Sequence, residues 1–223
     1  MYHNPLKGAT HEKQHRFRGR RSYARRRPQA RDLRRRLPPV MAQRQAIEKT
    51  LGEMAALLDV DAPNYFEYAW ESRAYLDKEL RVNLARDEVG LAVNSAQGRT
   101  QDQLHIHLSC VRVDVWEALH RNRDRIGIHW SLFDTSFFGH RYMAMWVAGE
   151  LLGPNNPFTL LAEGLPDAPR DMADRTLVVT GLTRADGNAG FVILTDLVNR
   201  QRGDLAFGEE LLDPACRLAA KGK

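Results

Sequence analysis

The chain has 223 residues, is 43% hydrophobic and carries a formal charge of +5. That length suits one large domain or two small ones with a sizeable core. No stretch reaches the ~20 apolar residues of a membrane-spanning helix, and the opening residues lack the apolar centre of a cleavable leader.

The charge is unevenly spread. Residues 1–40 hold two lysines and eleven arginines against Glu12 and Asp32, a net +11, which leaves −6 for the rest. The first part is therefore read as a basic disordered tail. Residues 41–60 carry Ile47, Leu51, Met54 and Leu58 at helical spacing and form an uncertain helical segment. Residues 61–223 are assigned to one folded domain.

"DAPNYFEYAWESRAYLDKEL" (61–80) predicts one helix, with Asp61 as cap and Pro63 in the first turn. "EVGLAVN" (88–94) alternates as a strand. "SAQGRT" is a glycine-containing turn, and Gln103 to Cys110 reads as a second strand. Asp114 is expected to cap a helix running to about Asn122. In 140–147, strand competes with helix, because Tyr142, Ala144 and Trp146 alternate. "PFTLLAEGLP" (157–166) is a short helix between prolines. Residues 176–197 form a hairpin around Asp186-Gly187. The last 26 residues read as irregular structure with a short helix. The sum is an α+β fold with an antiparallel sheet flanked by helices.

Only two cysteines are present, which excludes a zinc ribbon or a paired-cysteine redox motif. Cys110 and Cys216 either form a disulfide, given an oxidising compartment and Cα atoms within about 7 Å, or are two buried thiols. Both alternatives stay open here.

The chemistry concentrates in "VNSAQGRTQDQLHIHLSC". Side chains two apart on a strand share a face, so Gln103, His105, His107 and Ser109 point one way and Leu104, Ile106 and Leu108 the other. The polar row has three readings. It is a solvent-facing row without a role, or a metal site completed by His120, His129, His140 or Asp102, or a nucleophilic centre acting on phosphorus. The preceding turn favours the third. Gly98 exposes backbone N–H groups as an anion nest, Arg99 adds a cation, and Thr100 adds a hydroxyl. Such a unit suits phosphoryl or nucleotidyl transfer, where positioning and charge stabilisation dominate.

The histidine spacing after Gly98-Arg99-Thr100 resembles the histidine-triad hydrolase superfamily, with Gln103, His105 and His107 at the three triad positions. Glutamine at the first position departs from that pattern. A closer resemblance spans about Asp61 to the C-terminus. "APNYFEYAWESR", "AVNSAQGRTQDQLHIHLSC", "GHRYMAMWV", "PFTLLAEGLP" and "LLDPAC" together resemble bacterial CDP-diacylglycerol diphosphatases. That resemblance implies a histidine-triad-like sheet and hydrolysis of CDP-diacylglycerol to CMP and phosphatidate, in phospholipid metabolism. His105 would carry the cytidylyl group. His107, Gln103, Thr100 and Asn94 would bind phosphate oxygens or orient His105, with Arg99, Gly98 and His140 on the substrate. The scheme calls for no metal and no cofactor. It also implies association with the bacterial inner membrane, an anionic membrane surface as partner, and a homodimer by analogy with superfamily relatives.

The family's hydrophobic segment, and the strands expected ahead of "APNYF", are not visible in residues 1–58, which would leave a sheet edge bare. The arginine-rich stretch reads as out-of-frame translation of GC-rich DNA or as a polybasic arm for anionic lipid. Two rival functions remain besides a metal-dependent enzyme built on His105 and His107. One is a soluble nucleotide hydrolase or transferase of the same superfamily. The other is a nucleic-acid-binding protein using the arginine tail, but that tail lacks stacking aromatics and a recognition fold, so no specific nucleic acid is expected.

Overall fold

The computed structural model describes residues 62–100 and 105–221. The basic tail, the 41–60 segment, Asp61, Asp102, Gln103 and Leu104 lie outside the described residues.

The helix expected over 61–80 is two helices, α1 (Tyr65–Glu71) and α2 (Arg73–Leu80). Asn64, not Asp61, caps the first, its side chain accepting from the Glu67 N–H at 3.3 Å. The break falls at Ser72, whose hydroxyl donates back to the Tyr68 carbonyl at 2.8 Å; this local bond competes with the helical ladder. Glu67 accepts from the backbone N–H groups of Leu152 (2.7 Å) and Gly153 (3.1 Å), docking α1 onto the 149–156 turn.

A single antiparallel sheet follows, in the order β3-β4-β6-β5-β1-β2-β7. Its strands are β1 (Val89–Val93), β2 (His107–Val111), β3 (Ser131–Leu132), β4 (Met143–Ala148), β5 (Leu177–Thr183), β6 (Ala189–Thr195) and β7 (Leu212–Asp213). Strand wins over helix in 140–147 because both faces of β4 are buried: Ala144 and Trp146 face one layer, Met145 and Val147 the other. The predicted hairpin is β5–β6, closed by a turn with Gly187 at φ 86°. Both edges of the described sheet are two-residue strands. On its outer side β2 is paired to β7 only at Cys110 and Val111, among the described residues.

The sheet separates two apolar layers. On one side Val89, Leu91, Val93, Val179 and Ile193 meet α1 and α4 (Pro157–Gly164). Trp70 packs edge-on to Phe191 at 4.9 Å, and Phe66 against Phe158 at 5.3 Å. Fully burying each such side chain stabilises the fold by roughly 1.5–3 kcal/mol. On the other side Ala92, Val178, Val192, Leu194 and Trp146 meet α3 (Val113–Asn122) together with Phe133, Phe137 and Tyr142. The N-cap of α3 is Arg112 and not Asp114, which sits in the first turn. Asp114 is instead ion-paired to Arg112 at 3.0 Å, and that hydrogen bond holds its carboxyl below the usual range.

The C-terminal segment is more ordered than its sequence suggests. Past α5 (Ala168–Asp171), which lies before β5, a 3-10 turn, Gly208–Leu211, leads into β7, and α6 (Arg217–Lys221) ends the described chain. The Cys110 and Cys216 alternatives resolve to a disulfide with Cα atoms 5.1 Å apart. It fastens the end of β2 to the residue preceding α6.

Candidate active site

Strand pairing decides where the histidines face. His107 sits opposite Ala92 on β1, and Leu108 opposite Leu91. Ile106 and Leu108 pack against the α1/α4 layer, as the alternation predicts. His107 therefore lies on the α3 side of the sheet. His105 precedes the strand, yet its ring centre is 4.5 Å from that of His107, at an interplanar angle of 64°. The two imidazoles form one unit. The His107 side chain is 30% exposed, with Glu209 of the C-terminal segment against it.

That segment supplies a partner the sequence reading missed. Glu209 reaches His107 Nδ1 with Oε2 at 2.8 Å. Asn94, at the end of β1, completes a ring of contacts. Its Oδ1 accepts from the Glu209 backbone N–H at 3.1 Å, and its Nδ2 lies 3.5 Å from His107 Nε2. With the Nδ1 proton on Glu209, Nε2 keeps its lone pair, so the carboxylate fixes the tautomer. A strand end, a strand start and a 3-10 turn 115 residues from Asn94 thus converge on one imidazole.

Asn94 is buried. The turn after it behaves differently from the anion nest predicted for it. Ser95 Oγ accepts from the N–H groups of Gln97 (3.1 Å) and Gly98 (2.9 Å), and the Ser95 carbonyl accepts from Arg99 N–H at 3.1 Å. The N–H groups of Gln97, Gly98 and Arg99 are thus taken by Ser95. Gly98 is explained by close approach: a Cβ there would stand 3.0 Å from the Leu205 carbonyl oxygen and 3.2 Å from Phe207. Arg99 is half-buried and shares a small pocket with Asn94, Phe158 and Arg175. Thr100 is exposed.

His140 belongs to a neighbouring network. Its Nδ1 meets Glu210 Oε1 at 2.7 Å, and the Tyr142 hydroxyl donates to the same oxygen at 2.8 Å. Burial, followed by the Glu210 charge, pushes the Tyr142 hydroxyl far above its ordinary pKa, so Tyr142 is a fixed donor. His120 is taken up elsewhere: it bonds Asp87 at 2.7 Å and stacks on Trp116 at 3.9 Å. His129 is exposed. Neither completes a metal site with His105 and His107. The carboxylates Glu209 and Glu210 carry little sequence signal beyond an acidic pair following Gly208.

The α+β sheet thus presents two imidazoles packed edge to face, one of them contacted by a buried asparagine and a carboxylate. The chain belongs to the CDP-diacylglycerol pyrophosphatase family, whose profile matches residues 46–220. It is 33% identical over 166 residues to a Yersinia pestis protein named CDP-diacylglycerol pyrophosphatase. The match covers 74% of this chain and 63% of that relative's length. Among the described residues, no helix is long and apolar enough to cross a membrane.

Proposed function

We propose that the chain hydrolyses CDP-diacylglycerol to CMP and phosphatidate through a cytidylyl-histidine intermediate. The observation that carries this reading is the imidazole pair, with His107 held between Glu209 and Asn94, in a chain of this family. A ring nitrogen of His105 attacks the cytidylyl phosphorus. The P–O bond to phosphatidate breaks, and phosphatidate leaves with the bonding electron pair. Water then attacks the same phosphorus, the N–P bond breaks, and CMP departs. Two displacements with an imidazole as nucleophile and then leaving group replace one harder step.

His107, backed by Glu209, exchanges the protons of these steps. The Thr100 hydroxyl, the Arg99 guanidinium and Gln103 bind phosphate oxygens beside Asn94. Gly98 lets the turn pack closely beneath them, and His140 closes the rim through its link to the Glu210 end of the turn. The substrate is a lipid, so the domain acts at an anionic membrane surface, on the bacterial inner membrane. A second reading exchanges the two histidines. Glu209 on Nδ1 fixes the tautomer and orientation of His107, whose Nε2 keeps its lone pair beside Asn94 Nδ2, which makes His107 the nucleophile in this second reading.

The test is trapping. Enzyme is mixed with CDP-diacylglycerol labelled in the cytidylyl phosphate, denatured at neutral-to-alkaline pH and digested. Label on His105 supports the first reading, and label on His107 the second. CMP release with no labelled protein, from an enzyme unaffected by His105→Asn and His107→Asn, overturns both. Release of nucleotide only from soluble dinucleotides overturns the lipid substrate.

A further inference from the structure

A second polar centre lies beside the histidine pair and shares only His140, at the rim, with the chemistry above. It gathers His140 from the loop before β4, Asp196 from the residue after β6, and Asp204 from the segment leading to Ala206. One ligand atom from each lies within 4.8 Å of the others. All three stand in the wall of a cavity of about 350 Å³, which also touches Asn199, Arg141 and Arg202.

The hydrogen bonds of this centre do not close. Asp196 is 8% exposed and Asp204 6%. Asp196 Oδ1 accepts from the Leu197 N–H at 2.8 Å, but Oδ2 is fully buried without a hydrogen-bond partner. Asp204 Oδ1 accepts from the Ala206 N–H at 2.8 Å and stands 3.7 Å from His140 Nδ1. With Glu210, three buried or largely buried carboxylates face one imidazole. A buried carboxylate without a partner costs about 1–3 kcal/mol or more, and two together repel.

We propose that His140, Asp196 and Asp204 form a binding site for a divalent cation. A cation supplies the missing partner of Asp196 Oδ2 and balances the excess negative charge. The spacing fits. Metal–ligand distances of about 2.1–2.5 Å place ligand atoms up to about 4.2–5 Å apart across the ion. Two carboxylates and an imidazole suit Mn²⁺, Zn²⁺ or Ca²⁺, with the cavity supplying water for the remaining positions. The ion would steady the segment that carries Glu209, without touching the reacting phosphorus.

The test is direct binding. Full-length protein is stripped with chelator, dialysed and titrated separately with Mn²⁺, Zn²⁺ and Ca²⁺, by calorimetry and, for Mn²⁺, by electron spin resonance. One equivalent is expected to bind with at least one of these ions at a Kd below about 100 µM and to raise the Tm. Asp196→Asn and Asp204→Asn should each weaken binding more than tenfold. Bound Mn²⁺ should show ¹⁴N modulation from one imidazole, a reading that needs no variant and so survives a variant that fails to fold. Wild-type protein that binds none of the three below 1 mM overturns the proposal. So does binding that both folded variants retain, or Mn²⁺ without a nitrogen ligand. None of these readouts depends on CDP-diacylglycerol hydrolysis.

Discussion

Glu209 and Glu210 are consecutive on one 3-10 turn, yet each serves a different histidine: Glu209 takes His107 Nδ1 at 2.8 Å and Glu210 takes His140 Nδ1 at 2.7 Å. The turn is therefore a junction. Whatever displaces it disturbs the orientation of the candidate catalytic ring and the polar centre around Asp196 together.

Glu209→Gln tests the first half of that junction. The amide is nearly isosteric but carries no charge and cannot stabilise an imidazolium. Turnover is expected to fall about 10²-fold with little change in KM and an unchanged circular dichroism spectrum. Steady-state hydrolysis of CDP-diacylglycerol, the proposed substrate, measures it; a variant at full turnover would remove Glu209 from the proposed mechanism.

Gly208→Ala tests the junction by packing. A Cβ at this residue would fall 2.1 Å from Thr176 Oγ1, 3.0 Å from Val178 and 3.2 Å from the Val93 carbonyl oxygen. Thr176 is itself pinned to Val93 by a buried hydrogen bond of 2.5 Å. The methyl cannot be absorbed by one rotamer change, so a loss of about 1–3 kcal/mol is expected in urea unfolding. Turnover should fall as well, because Glu209 moves with the turn.

Reduction of Cys110–Cys216 tests the tie between strand and C-terminus. The bridge joins residues 106 apart, and a loop of that length gives about 4–5 kcal/mol in the chain-entropy account. Thermal unfolding with and without dithiothreitol should show a clear drop in Tm. The Cys110→Ser/Cys216→Ser double variant should match the reduced protein. Equal melting under both conditions would count against the bridge.

Asp213 sets an acid limit on stability. It is buried in β7 and accepts from Arg217 Nε at 2.9 Å and from the backbone N–H groups of Ala215 (3.1 Å) and Arg217 (3.0 Å). The Arg217 hydrogen bond, ahead of the backbone bonds, holds its carboxyl below the ordinary value of 3.8. A lowered folded-state pKa contributes stability that is present above 3.8 and is lost as pH falls through the folded value. Asp213→Asn should destabilise the protein at pH 7, and the difference from wild type should shrink below about pH 3.8, as measured by denaturant melts across pH.

The elements legible in the sequence are those whose side chains announce a period. The β5–β6 hairpin has two β-branched runs around a glycine turn, and Ile106 and Leu108 alternate with the histidines. Helix 61–80 was legible as helical but not in its break, since Ser72 competes with the ladder through a hydroxyl bond that propensity alone does not reveal. The anion nest failed for a similar reason. Gly98 reads as a freed backbone, whereas Ser95 had already taken the neighbouring N–H groups. Glu209 was invisible because its role depends on pairing between β2 and β7, a contact set by tertiary folding. An acidic pair after a glycine is ordinary surface sequence until the C-terminus is seen to return to the histidine strand.

The bridge between Cys110 and Cys216 has one more consequence. His105 and His107 lie just before its first half-cystine and Glu209 just before its second. A protease that nicks an exposed connection between them, such as the turn at Leu151, would cut the backbone without parting the halves. The two fragments would migrate as one species without reductant and as two with it, and the nicked enzyme would hold its histidines and their carboxylate in a single covalent piece.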